Sequence, residues 1–303
     1  VTRARNIALI AFAPEDLVLA DCHPNPTRPI PSRRDLIVGA SAALLMGQTS
    51  PPPTPSPPPK SMGPGPGTLL IMGGGGMGPH VADLAWSLTG PAARWVYIPT
   101  ALMEAQIAGA RPPAFVAGAR ARAQTLHTRD SAVADSESFV APLREATAVY
   151  IDGGRQWRLA DAYLDTKVEA ELHALLARGG VIAGASAGAA IMSSFLMRGS
   201  PMGNGIVVSA GHERGFGFIT HSAIDEHVLR RRRQDNLGPV IAAHPDLIGI
   251  GLDEGAAALV RDETLTAAND RAVLITDGAD HGGRPFYRLP PKARFDLASW
   301  RIV

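Results

Sequence analysis

Gly184-Ala185-Ser186-Ala187-Gly188 sets a serine between two glycines, directly after the apolar run Val181–Ala183 and before an apolar stretch reaching Met197. G-x-S-x-G between a buried strand and a helix describes a strained turn that thrusts a hydroxyl outward. Small flanking residues relieve the crowding, and a helix N-terminus favours developing negative charge. That chemistry is acyl transfer through a serine nucleophile. A plain helix N-cap would account for Ser186 but not for both glycines. A nucleophilic serine needs a base, and the base needs an orienting group. His227 lies in Ile224-Asp225-Glu226-His227-Val228-Leu229, followed by four arginines, Arg230 to Arg233. Glu254 lies in Gly249-Ile250-Gly251-Leu252-Asp253-Glu254-Gly255. Spacing alone does not select these two from nine histidines and 28 carboxylates. An α/β-hydrolase esterase orders its triad Ser, acid, His; here that means Ser186, Asp253 or Glu254, then His281 in a turn-like Ala279–Gly283. A non-catalytic ligand-binding domain also remains open. No H-E-x-x-H or similar metal spacing occurs, and neither a metal nor a cofactor is expected.

The elements that must position these groups alternate. Thr68–Met72 (TLLIM), Trp95–Ile98 (WVYI), Ala148–Ile151 (AVYI) and Val181–Ala183 are short apolar runs of buried-strand type. Helical composition fills Ala108–Thr125, and Val168–Arg178 has amphipathic spacing closed by Gly179-Gly180. Leu247–Leu252, Ala256–Val260 and Ala272–Ile275 are further strands, and their short gaps predict an antiparallel excursion. Strands separated by helices predict an α/β three-layer sandwich around a mainly parallel sheet. In such sheets the site lies at the carboxyl ends of the strands. Those ends carry GGGGMG, DGGRQW and GASAG, so three glycine-rich turns should meet at one edge. GGGGMG lacks the G-x-G-x-x-G spacing of a dinucleotide loop.

The 303 residues are 46% hydrophobic and 19% charged, which excludes global disorder. A net charge of +1 supplies no field for nucleic acid or anionic lipid. The Arg230–Arg233 run, flanked by acids, reads as a solvated face with one or two pocket arginines. A single cysteine, Cys22, excludes an intramolecular disulfide framework. Residues 1–50 form an N-terminal extension. In it, Arg33-Arg34 before the apolar run Leu36–Met46 resembles a twin-arginine export signal, too short for a membrane span. The pair sits deep, so the biological start is expected after Val1. Residues 51–66, with nine of the chain's 26 prolines, read as a stiff linker to a domain over 67–303. Export to the periplasm or medium is the expectation, and cytoplasmic residence if the signal is not real.

Together, GGVIAGASAGAAIMS around Ser186, IDEH with its arginines, GIGLDEGAAALV and the upstream IDGGRQ resemble the cyanophycinase branch of the cyanophycinase/dipeptidase E serine peptidases. The resemblance covers most of 68–277 and implies a fold like class I glutamine amidotransferases, with serine in place of the cysteine nucleophile. It implies Ser186 as nucleophile, His227 as general base and Glu254 as the group orienting His227. It implies backbone N–H groups of Ala187 and of Gly153 or Gly154 as oxyanion donors. Gln156, Asp225, Glu226, Arg231 and Arg233 match pocket positions. The implied substrate is an aspartyl peptide, β-aspartyl-arginine in the storage polymer or a relative of it, and the reading leaves room for a homodimer. Three departures bear on the substrate. Glu226 stands where the family has glutamine, which should raise the proton affinity of His227. Arg155 and bulky Trp157 flank Gln156, and Asn236 replaces a further arginine.

Overall fold

The computed structural model describes residues 61–117 and 123–303. Arg33-Arg34, the run Leu36–Met46 and residues 51–60 of the proline-rich stretch lie outside the described residues. The first half alternates strand and helix: β1 (Thr68–Met72), α1 (Pro79–Thr89), β2 (Trp95–Ile98), α2 (Glu104–Ile107), α3 (Ala114–Ala117), β3 (Gln124–Thr125), α4 (Ser131–Ala134), α5 (Glu137–Glu145) and β4 (Ala148–Ile151). Next come α6 (Gln156–Tyr163), α7 (Lys167–Ala177), β5 (Val181–Ala185), α8 (Ala187–Ala190), β6 (Ser193–Phe195), β7 (Ile219–Glu226), α9 (Leu237–Ala243) and β8 (Ile248–Leu252). The chain closes with β9 (Ala257–Arg261), β10 (Thr264–Ala267), β11 (Val273–Thr276), β12 (Tyr287–Leu289), β13 (Arg294–Asp296) and β14 (Arg301–Ile302).

Two sheets form. The larger runs β14-β13-β10-β9-β1-β5-β4-β2-β3. Its β1, β5, β4, β2 and β3 are parallel, and β9, β10, β13 and β14 extend it antiparallel. Side chains alternate across the parallel strands, as a pleat requires. Leu69, Ile71, Val96, Ile98, Val149, Ile151 and Ile182 join the core under α5, α6 and α7. Leu70, Met72, Trp95, Tyr97, Tyr150 and Ala183 face α1 and α3. Both faces are therefore covered, which is why these strands read as continuous apolar runs. Among the described residues no helix is long and apolar enough to cross a membrane.

The second sheet, β12-β11-β8-β7-β6, is absent from the sequence expectation. Its β6, β7 and β8 are parallel, and β11 and β12 add the expected antiparallel excursion. The apolar stretch after Ser186 is not one helix to Met197: α8 stops at Ala190 and Ser193–Phe195 pairs with β7. Backbone pairing there outweighs helix propensity. Of the span Ala108–Thr125 expected to be helical, residues 118–122 lie outside the described residues; the rest holds α3, and Gln124–Thr125 is an edge strand beside Val96 and Tyr97. The domain's packing also begins before residue 67. Met62 is fully buried, and its N–H donates to Glu263 Oε2 at 2.8 Å.

Candidate active site

Ser186 sits between β5 and α8 at φ 52° and ψ −118°, a left-handed conformation rare for a residue with a side chain. Such a backbone costs roughly 1–3 kcal/mol and persists only where neighbours over-determine it. Here its N–H donates to Met72 O at 2.9 Å, and its carbonyl accepts from Ala189 and Ala190. The flanking glycines are obligatory through space. A Cβ on Gly184 would lie 2.3 Å from Gly188 O, and one on Gly188 would lie 2.1 Å from Ile151 O. With α8 only four residues long, the turn itself presents the hydroxyl, rather than an extended helix.

His227 follows β7, an inner strand of the second sheet between β8 and β6, and Glu254 lies in the turn between β8 and β9. Ser186 Oγ is 3.0 Å from His227 Nε2, and His227 Nδ1 is 2.8 Å from Glu254 Oε1. A hydroxyl, an imidazole and a carboxylate thus form one relay. His227 is 6% exposed. Burial holds its pKa below that of an ordinary histidine, the Glu254 hydrogen bond opposes this, and the charges of Arg231 and Arg233 add to the lowering. The raising expected from Glu226 is not among the influences on the ring, which burial dominates, and Glu226 is itself buried. The GGGGMG turn closes over the relay. A Cβ on Gly74, at φ 89°, would lie 2.7 Å from His227 Cε1 and 3.0 Å from Ser186 Cβ. Only glycine allows that approach.

The glycine turns of β1, β4 and β5 do meet at one edge. A Cβ on Gly153 would lie 3.4 Å from Ser186 Cβ. Gly153 N–H donates to Asp152 Oδ1 at 2.8 Å. The N–H groups of Gly154 and Ala187 have no acceptor among the described residues. His281 is not part of this group: its Nε2 is 2.8 Å from Asp277 Oδ1. Asp253, the other acid considered, accepts from the N–H groups of Leu229 and Arg230 at 3.0 and 2.8 Å and holds the arginine loop.

Several pocket expectations need correction. Asp225 is fully buried, and Arg198 grips its carboxylate through Nε and Nη2, both at 2.8 Å. It is therefore spent on a protein guanidinium. Glu226 is also buried, with Oε2 lacking a partner. Burial and then the charge of Asp225 push its pKa up to about 7, against Arg198 and Arg233. Gln156 is buried and donates through Nε2 to Met197 O at 2.7 Å. Arg155 donates to Ser200 O at 2.8 Å instead of reaching outward. Arg231 is exposed, and Arg233 is half-buried with Nη1 unpartnered. Arg198 was missed: it lies in an unremarked loop, and nothing in its spacing marks it. Its burial beside Asp225 is a tertiary fact.

Residues 69–268 match Peptidase family S51. The cyanophycinases of Nostoc sp. and Trichormus variabilis are each 34% identical over 187 residues, covering 59% of this chain and 62% of theirs. The match thus spans somewhat under two thirds of those relatives' length. The crystal structure of a peptidase from an acI-B1 Actinobacterium superposes with a TM-score of 0.58 at 24% identity, covering 78% of this chain and 98% of that one. It shares the fold. Since the family match takes in more than half of the chain and contains Ser186, His227 and Glu254, the protein belongs to peptidase family S51.

Proposed function

We propose that the protein is a serine-type peptidase that hydrolyses aspartyl peptide bonds through an acyl-serine. The observation that carries this reading is the relay Ser186–His227–Glu254, at 3.0 and 2.8 Å. Ser186 Oγ attacks the scissile carbonyl carbon while His227 Nε2 takes the hydroxyl proton. Glu254 accepts the Nδ1–H bond, which fixes the tautomer and stabilises the imidazolium. We assign the oxygen of the tetrahedral adduct to Ala187 and Gly154 N–H, two donors at this turn without an acceptor among the described residues. Collapse breaks the C–N bond, and His227 returns the proton to the leaving amine. Water then attacks the acyl-serine with His227 again as base, releasing the acid and restoring Ser186.

For the substrate, we favour the β-aspartyl-arginine linkage of cyanophycin or a related aspartyl peptide. Two relatives of this chain carry the name cyanophycinase. Arg231 and Arg233, whose charges act on His227, suit a substrate carboxylate. With Asp225 tied to Arg198, the cation of an arginyl group would have to be met elsewhere. The test offers wild type and Ser186→Ala four substrates: cyanophycin, β-aspartyl-arginine, α-aspartyl-arginine and a p-nitrophenyl ester. Release from the β-linked substrates, abolished by Ser186→Ala, is expected. Equal cleavage of α-aspartyl-arginine would overturn the β-linkage, and ester hydrolysis alone would overturn the peptidase reading.

A further inference from the structure

Asp152 follows β4 at the strand end nearest Ser186, and its carboxylate is held on both sides. Oδ1 accepts from Gly153 N–H at 2.8 Å, and Oδ2 accepts from the hydroxyl of Tyr97 on the neighbouring strand β2. Its own N–H donates to Ile98 O at 3.0 Å. Tyr97 is fully buried and stacks on Tyr150, its register partner across the parallel pair, at 6.1 Å. Phe115 meets Tyr150 edge-on at 5.7 Å. The acceptor is therefore fixed by a rigid aromatic stack rather than by a mobile surface arm. The next residues are pinned as well: Arg155 N–H donates to Ala101 O at 2.9 Å, and a Cβ on Gly154 would lie 2.2 Å from that same oxygen.

We propose that Asp152 is the positioning residue of the oxyanion turn: by taking Gly153 N–H, with Tyr97 fixing its carboxylate, it leaves Gly154 N–H aimed at the tetrahedral oxygen on Ser186. The inference rests on the reading of Ser186 as nucleophile. It assigns different work to the two glycines that the sequence left interchangeable. The useful property of Asp152 is its acceptor geometry, not its charge, since a carboxylate beside a developing oxyanion is unfavourable in itself. Tyr97 and Gly153 offset that cost by donating to it. An asparagine fills the same place: its carboxamide oxygen accepts from Gly153, and its NH2 donates to the Tyr97 oxygen.

The test is phosphonylation of Ser186 by a fluorophosphonate probe, which forms the Ser186 Oγ–P bond with loss of fluoride and sets the phosphoryl oxygen in the oxyanion position, followed by intact mass against probe concentration. Asp152→Ala should slow the maximal labelling rate about 10- to 100-fold, with the half-saturating concentration unchanged. Asp152→Asn should label close to wild type. Tyr97→Phe, which keeps the Gly153 contact, should fall between them and carries the test if the alanine variant does not fold. Wild-type labelling of Asp152→Ala would overturn the positioning role and leave the relay standing. An asparagine variant as slow as the alanine one would overturn the acceptor role. Undiminished labelling of His227→Ala would overturn the relay itself, and the proposal with it.

Discussion

An imidazole held between a hydroxyl and a carboxylate, with little water around it, works as a base only while neutral. Burial depresses the pKa of His227, Arg231 and Arg233 push the same way, and Glu254 pulls back. A depressed value keeps the neutral form available at lower pH than for an ordinary histidine. The acid limb of kcat/KM should therefore lie below pH 6.5, falling about tenfold per pH unit. Arg231→Gln, by removing a nearby positive charge, should move that limb to higher pH. His227→Ala should lower kcat by about 10⁴- to 10⁶-fold, judged from triad deletions generally, whereas His281→Ala should leave it nearly unchanged. If His281 proved essential and His227 dispensable, the esterase-type arrangement would replace this one. Ser186 was legible because a strained turn needs glycines on both sides. No such local requirement marks His227 among nine histidines, and there the family resemblance, not spacing, made the choice.

The end of β7 brings three ionisable residues, Asp225, Glu226 and His227, out of one buried strand. Its sequence, ITHSAIDE, has neither an apolar run nor clean alternation, which hid it as a strand. β7 is held between β6 and β8, and its polar groups are met inside, Ser222 by Ile219 O and Asp225 by Arg198. Glu226 is the exception. Its folded-state pKa of about 7 lies above the ordinary carboxylate value, so the native state binds the extra proton. Stability from this group is full below about pH 4.3 and falls as pH rises towards 7, because the unfolded chain ionises first. Glu226→Gln should therefore gain stability that grows between pH 5 and 8. The gain should be on the order of 1–3 kcal/mol, read as a Tm several degrees above wild type at the upper pH. A Tm difference constant across that range would contradict the buried charge.

Over the domain as a whole, residues 61–63 act as a strap between distant parts of the chain. Ser61, Met62 and Gly63 all bond the Glu263 carboxylate, Thr220 N–H donates to Met62 O at 2.9 Å, and Trp300 Nε1 meets Met62 Sδ at 3.3 Å. The strap thus joins β7 to the C-terminal strands. Met62→Ala should cost about 2–5 kcal/mol, as other buried methionine truncations do, and lower Tm by roughly 2–4 °C per kcal/mol. Turnover at low temperature should be retained, because the strap touches no residue of the relay. A melting curve identical to wild type would show that the strap does not bear on the fold. The proline-rich composition concealed it, since a single buried Met among prolines has no period to read.

By itself the sequence determined what depends on near neighbours. Buried parallel strands must be apolar on both faces, so TLLIM, WVYI and AVYI showed themselves. Tight turns must be glycine where no Cβ fits, so GGGGMG, DGG and GASAG marked one edge before any coordinates did. Tertiary structure decided what depends on residues far apart along the chain. It built the second sheet, carried His227 41 positions from Ser186 to 3.0 Å, and gave Asp225 to Arg198. It also fixed Asp152 through Tyr97, 55 positions away, so that its other oxygen takes Gly153 N–H and separates two adjacent glycines that are identical as letters. Local pattern encodes the backbone's conformation and its exposure to water. The pairing of charges and donors is set by which surfaces meet once that backbone has packed.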